Sequence, residues 1–268
     1  MRHSLPQNPQ FYVTAPQDCP YLDNQVERKL FTALYGINSR RLNNSLSKQG
    51  FRRSQNVLYR PSCANCSACM SARISSREFK PSKSQKRIIS KNSDIVRVVN
   101  PALATDAQYD LFKKYITARH PNGGMSDMDA NDFTAMIEET NVESKLIEYY
   151  AKKSGELELI SFSLVDILDD GISMVYSVFN PDFKERSLGT YMILDHNNLT
   201  LEMDLQYVYL GYWVQGSSKM DYKKRFSPLE VFTNDKWVCV SKSKITNINT
   251  YKLDQQKHGM PIYLPSEE

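Results

Sequence analysis

A chain of 268 residues with 34 Lys/Arg, 30 Asp/Glu and 41% hydrophobic residues can bury a sizeable core in one or two domains. It has no apolar run long enough to cross a bilayer, and its opening Met1-Arg-His-Ser-Leu-Pro6 lacks the apolar segment of a secretory signal, so a cytoplasmic protein is expected. The net charge of +4 is unevenly spread: residues 40–91 hold 13 Lys/Arg and a single acid, Glu78, which points to a polyanionic partner, nucleic acid rather than membrane, the other reading being a solvated basic surface with no specific partner.

Residues 24–35 place Val26, Leu30, Ala33 and Leu34 at helical spacing, with Gly36 as the stop, which predicts a helix. Residues 38–53 are polar and basic and read as irregular or as a short helix. Residues 56–60 look like a strand leading into a cysteine-rich loop, and residues 72–79 like another. Pro81-Ser-Lys-Ser-Gln-Lys-Arg87 then opens a basic helix, with proline near its first turn. A boundary near residues 92–94 separates a basic, cysteine-containing unit, 1–92, from a second unit, 93–240. A C-terminal tail, 241–268, follows and is expected to be loosely held from Lys257 onward.

In the second unit, residues 95–99 are β-branched and short. Thr105-Asp-Ala-Gln108 has the form of a capping box opening a helix that ends near His120. Asp129 or Asn131 starts a second helix through Ile137. Residues 145–151, 157–168 and 172–179 read as consecutive antiparallel strands, the last two joined around Asp169-Asp170-Gly171. A helix over 188–203 and a strand over 207–214 complete the unit. This β-α-α-β-β-β-α-β order matches a mixed-sheet α/β fold of the N-acetyltransferase-like (GNAT) kind. There an acyl donor sits in a notch between two splayed strands, here the one ending at Phe179 and the one beginning at Tyr207.

Three of the five cysteines sit in Cys63-Ala-Asn-Cys66-Ser-Ala-Cys69; Cys19 lies upstream and Cys239 stands alone. Two consecutive C-x-x-C steps let neighbouring thiolates meet on one metal centre, and a fourth ligand from elsewhere completes it. In a reducing compartment such clusters are ligands more often than disulfides. Cys19, Cys63, Cys66 and Cys69 are therefore candidate ligands of an iron–sulfur cluster or zinc, with a structural or redox-sensing role; the other reading is small buried space-fillers.

Two further blocks carry a sharper signal. They are Leu205-Gln-Tyr-Val-Tyr-Leu210-Gly-Tyr-Trp-Val-Gln-Gly-Ser-Ser-Lys219-Met-Asp-Tyr222-Lys-Lys-Arg-Phe226-Ser-Pro228 and Asn180-Pro181-Asp-Phe-Lys-Glu-Arg186-Ser-Leu-Gly189-Thr-Tyr191. Both resemble the arginyl-tRNA–protein transferase family, and more closely its bacterial aspartate/glutamate leucyltransferase branch. The resemblance extends through Cys19-Pro-Tyr-Leu22, Glu27-Arg-Lys-Leu-Phe31, the cysteine loop, the Pro81 segment and Tyr109 to Met125, covering residues 11–237. One departure is Asn180, where an aspartate is usual; asparagine keeps the turn chemistry without the charge.

The resemblance implies transfer of leucine from leucyl-tRNA to the α-amine of proteins beginning with Asp or Glu, creating an N-end rule degradation signal, in a monomer that needs no coenzyme A. Within that reading, Arg119 and His120 grip the acceptor's acidic side chain, or else cap a helix C-terminus. Arg186 and Ser187 open a helix where amides can meet an anion; Ser187 binds the tRNA terminus or caps the helix. Lys219 and Lys223 meet the aminoacyl ester or the terminal phosphates and Tyr222 protonates the leaving oxygen, or else all three belong to a basic surface loop; Tyr176 lines the notch. Arg52, Arg53, Lys86 and Arg87 are the candidate tRNA contacts. Three rivals are an arginine-transferring relative, an acetyl-CoA N-acetyltransferase and a non-enzymatic zinc-ribbon nucleic-acid binder. Tyr191 disfavours the second, because it fills a position that must be small beside a pyrophosphate; the third leaves the 211–228 block without a purpose.

Overall fold

The structure, a computed structural model, describes residues 8–121, 123–153, 155–240, 262 and 264, so most of the expected tail lies outside the described residues. The chain forms two compact units. The first joins the described residues up to Arg73 to those from Leu210 onward, and the second is the continuous stretch Ile74–Tyr209. The division therefore falls at Arg73/Ile74 and again at Tyr209/Leu210, away from the 92–94 expected from composition. The reason is packing: helix α2 (Lys83–Lys91) lies on helix α5 (Leu188–Glu202) of the second unit. The Asn92 amide ties that junction by donating to the carbonyls of Ile88 and Arg186, each at 2.9 Å.

In the first unit, β1 (Phe11–Val13), β4 (Lys29–Ala33), β6 (Val57–Pro61) and β5 (Arg52–Ser54) form an antiparallel sheet in that order. A small ladder pairs β2 (Gln17–Asp18) with β3 (Val26–Glu27). The helix expected over 24–35 is thus two strands. Asn24 takes φ 58°, a turn conformation, and β4 hydrogen-bonds on both sides, to β1 and β6. Alternate positions Thr32 and Leu34 are buried, so period two wins over the apparent helical spacing. Residues 38–53 do contain a helix, α1 (Ser39–Lys48), whose inner face is unusually polar: Ser39, Asn43, Asn44 and Ser47 are buried with Leu42 and Leu46. Those polar groups are satisfied locally, for example Asn44 Nδ2 donating to the Arg40 carbonyl at 3.1 Å.

Strand β7 (Cys69–Ser75) carries the chain into the second unit and β12 (Tyr207–Val214) carries it back. Between them run β8 (Val96–Pro101), α3 (Asp106–Arg119), α4 (Ala130–Glu138), β9 (Ser144–Lys153), β10 (Glu156–Ile167) and β11 (Gly171–Phe179). A 3₁₀ helix, Pro181–Arg186, leads into α5. The strand order β12-β11-β10-β9-β8 is mixed: β11 and β12 pair parallel over Gly171↔Tyr207 to Ser173↔Tyr209, and the rest are antiparallel. Both helices α3 and α4 begin with capping boxes, at Thr105/Gln108 and at Asp129/Asp132. Period two along the strands divides the core between two sheet faces. Leu146, Phe162 and Leu164 pack with Phe112, Ile116 and Phe133 of α3 and α4, whereas Ile147, Tyr149 and Val165 pack with Leu188, Tyr191 and Met192 of α5. Each such buried side chain contributes about 1.5–3 kcal/mol of apolar transfer. Gly171 is required at the start of β11, because a Cβ there would lie 2.2 Å from the Tyr207 carbonyl oxygen.

After β12 the first unit closes with a 3₁₀ helix, Ser218–Arg225, and the hairpin β13 (Leu229–Thr233) and β14 (Lys236–Val240). Among the described residues no helix is long and apolar enough to cross a membrane.

Candidate active site

In the second unit the site residues gather where α3 ends and β11 runs out. Tyr115 is the hub. Its ring packs edge-on against Phe179 at 4.9 Å and against His120 at 5.7 Å between centroids. The exposed Arg119 guanidinium lies 5.8 Å from the Phe179 ring centroid and pairs with no carboxylate among the described residues. Tyr176 packs against Phe112 at 6.2 Å. Burial raises the phenol pKa of both Tyr115 and Tyr176, and for Tyr176 the neighbouring Tyr115 raises it further. Arg119, His120 and Tyr176 thus share one aromatic cluster. Its centre, Tyr115, was visible in the sequence only as a motif position.

Arg186 is committed elsewhere. Its guanidinium makes two bonds to Asp94, at 2.8 and 2.9 Å, and this pairing with Arg186 holds the Asp94 carboxyl below its usual range. Ser187 is the N-cap of α5 yet makes no side-chain cap; it adopts the left-handed conformation with φ 52°. Asn180 is buried and its Oδ1 accepts from the Asp182 amide at 3.0 Å, so the asparagine keeps the turn, while Lys114 pairs with Asp182 at 2.5 Å. Tyr191 is buried against Tyr149, with ring centroids 5.8 Å apart.

In the first unit the 210–226 block wraps around β12. Gly211 has φ +81°, and a Cβ there would meet the Arg52 guanidinium at 3.3 Å. The Tyr212 hydroxyl faces the carbonyls of Gly50 and Tyr59, at 3.1 and 2.8 Å. Along the 3₁₀ helix, Lys219 and Tyr222 are exposed, whereas Lys223 is buried and donates to the Tyr212 carbonyl. Of the candidate tRNA contacts, Arg52 and Arg53 are buried in the first unit, Arg53 donating to the Gln55 carbonyl at 2.8 Å. Lys86 and Arg87 are exposed on α2 in the second unit, beside exposed Lys83 and Lys91.

Cys19, Cys63, Cys66 and Cys69 are all free thiols and line one cavity of about 80 Å³, together with Tyr21, Glu27, Tyr59 and Tyr212. Burial pushes the Cys69 thiol up to about 12, and Cys66, Cys63 and Cys19 push in the same direction. Among the described residues no three Cys, His, Asp or Glu side chains stand close enough to hold a metal ion as placed. The donor set nonetheless has the chemistry of a thiolate site: four sulfurs lining one cavity, whose mutual repulsion as thiolates a bound cation would reverse. Cys239 lies apart on β14 and is exposed.

Residues 17–87 match the family model for the N terminus of the arginine-tRNA-protein transferases, and residues 107–233 match that for their C terminus. Both halves of one aminoacyl-transferring class are therefore present, in order. An aspartate/glutamate leucyltransferase of Ruegeria pomeroyi is 58% identical over 90% of this chain and 88% of its own. Another of that name, from Dinoroseobacter shibae, is 53% identical over 100% of this chain and 99% of its own. Among solved structures, the C-terminal domain (DUF2156) of an Agrobacterium fabrum protein matches with a TM-score of 0.46 and 10% identity, covering 63% of this chain and 61% of that one. The chain belongs to the arginine-tRNA-protein transferase family.

Proposed function

We propose that this enzyme moves leucine from leucyl-tRNA to the α-amine of proteins beginning with Asp or Glu, creating an N-end rule degradation signal. The observation that carries the reading is identity of 53–58% over 88–100% of the chain to several proteins named aspartate/glutamate leucyltransferase. In the reaction, the neutral acceptor amine attacks the ester carbonyl carbon, the bond to the ribose oxygen breaks, and a proton from the amine ends on that oxygen. An α-amine has a reference pKa of ~7.7–8.0, so a sizeable neutral fraction exists at pH 7 and no strong base is demanded. Positioning and leaving-group protonation carry the rate.

Arg119 grips the acceptor's acidic side chain, with His120 helping; its exposure and lack of a carboxylate partner among the described residues support this reading. Arg186, through Asp94, braces the turn that presents Ser187. Lys219 and Tyr222 serve the ester, Tyr222 as proton donor, and Tyr176 lines the acyl notch of a GNAT-like sheet. Lys86 and Arg87 meet tRNA phosphates. The four cysteines are proposed to hold an iron–sulfur cluster or zinc, which when bound supplies a structural or redox-sensing crosslink and takes no part in acyl transfer. The enzyme works in the cytoplasm as a monomer and without coenzyme A.

The test is direct. The protein is incubated with leucyl-, arginyl- or phenylalanyl-tRNA and reporter proteins beginning with Asp, Glu, Lys or Ala, and the products are weighed. Leucine is expected on the Asp and Glu reporters alone. No mass gain on either of them would sink the transferase reading, and gain from arginyl-tRNA would reassign the donor.

A further inference from the structure

The transfer reading leaves one expensive side chain unexplained. Lys223 is only 4% exposed, and no acid pairs with it among the described residues. Its Nζ donates to the Tyr212 carbonyl and lies 5.7 Å from the Tyr222 ring centroid. The charge that most affects it is a second buried cation, Arg52, seated against Gly211. Burial first, and Arg52 second, hold the ammonium down to about 7. A desolvated ammonium without a counter-ion costs stability that an apolar side chain of similar length would not.

The geometry of the turn makes the cost more telling. A 3₁₀ helix has three residues per turn, so positions i and i+3 share a face. Along Ser218–Arg225 one row is Lys219, Tyr222 and Arg225, all exposed. A neighbouring row, 120° round the helix, is Met220, Lys223 and the following Phe226, of which Lys223 and Phe226 are buried. A lysine therefore occupies the middle of the inward row, a third of a turn round the helix from the two side chains assigned to the ester. Residues kept against their own stability cost concentrate at working sites.

We propose that Lys223 is a positioning residue for aminoacyl transfer: by bonding the Tyr212 carbonyl from the inward row, it fixes the 3₁₀ turn so that Lys219 and Tyr222 face the aminoacyl ester. This rests on the transfer reading above. It assigns Lys223 a place behind the substrate rather than a contact with it, because its ammonium is spent on a backbone carbonyl.

The experiment compares wild type with Lys223→Met and Lys223→Gln, using leucyl-tRNA and an Asp-initiated reporter, with thermal melts alongside. Lys223→Met is expected to lower kcat about tenfold or more with both KM values within about twofold, while Tm holds or rises. Lys223→Gln keeps an N–H donor and is expected to recover part of kcat. Because the Met variant relieves a buried charge, a matching fall of Tm and kcat would mark a merely structural lysine and overturn the proposal. So would an unchanged kcat in an otherwise active system, which leaves the transfer reading standing. A wild-type protein that moves no leucine at all overturns both.

Discussion

His196 gives the second unit a calculable weakness to acid. The side chain is fully buried in α5. Nδ1 donates to the Met192 carbonyl of the preceding turn, and Nε2 has no partner among the described residues. Protonation would place a new N–H⁺ at that unpartnered nitrogen. Burial therefore lowers the pKa from 6.5 to about 4, against smaller raising effects from Asp195 and the Met192 bond, with Arg97 lowering it further. The sign follows from linkage: the unfolded chain binds this proton near pH 6.5 and the folded chain only near 4, so stability is complete above 6.5 and is lost as pH falls toward 4. Relative to pH 7.5, this one group removes about 1.3 kcal/mol at pH 5.5 and about 2.5 kcal/mol at pH 4.5. The assay is urea unfolding of wild type and His196→Leu at pH 7.5, 6.5, 5.5 and 4.5. The difference in unfolding free energy between the two should drift by those amounts in favour of the leucine variant. Parallel acid limbs for the two proteins would refute the reasoning, since a proton bound equally by folded and unfolded chains contributes no slope.

Arg119→Ala should lower kcat/KM for an Asp-initiated acceptor by roughly 10- to 100-fold, the loss of one charge-assisted pair, while KM for leucyl-tRNA holds; equal losses on both substrates would favour a helix-end role. Lys86→Glu with Arg87→Glu should raise KM for charged tRNA and flatten its dependence on log salt by about 0.7–0.9 for each phosphate no longer neutralised, measured by steady-state titration from low to physiological salt. The same reversal at Arg52 or Arg53 should instead cut soluble yield and Tm, because those side chains are buried. Anaerobic preparations should contain zinc or an iron–sulfur chromophore, lost in Cys66→Ser. Loading should release protons and weaken as pH falls, because Cys69 must give up a proton that burial holds up to about 12.

Much of the second unit could be read directly from the chain because its signals are local. The Thr105–Gln108 capping box, the turn before Gly171 and the alternation along residues 144–179 depend on neighbours within a few residues. The first unit was harder. Val26, Leu30, Ala33 and Leu34 mimic a helical stripe, and only the distant partner β6 decides that Lys29–Ala33 is a strand. Charge misled in a similar way. Arg52 and Arg53 sit in a strongly basic stretch and read as surface, yet the sheet buries both. Arg186 reads from the sequence as part of a helix start open to an anion, but it pairs with Asp94, 92 residues away, and no spacing rule foresees that. Asn180 shows the reverse case, in which turn chemistry alone anticipated the side chain's bond to the Asp182 amide.

The interrupted first unit also sets an order of events at the ribosome. All four clustered cysteines emerge early, but Tyr212, which lines the same cavity, is made some 140 residues after Cys69. At ~5–20 residues per second, that delay is on the order of 10 s. The continuous stretch 74–209 has time to fold in that interval, whereas the thiol cavity stays unfinished until the chain returns through β12. Closure of the thiol cavity is therefore a late step of biogenesis, and a chain stalled before Leu210 would expose four reduced thiols to the oxidants of its surroundings.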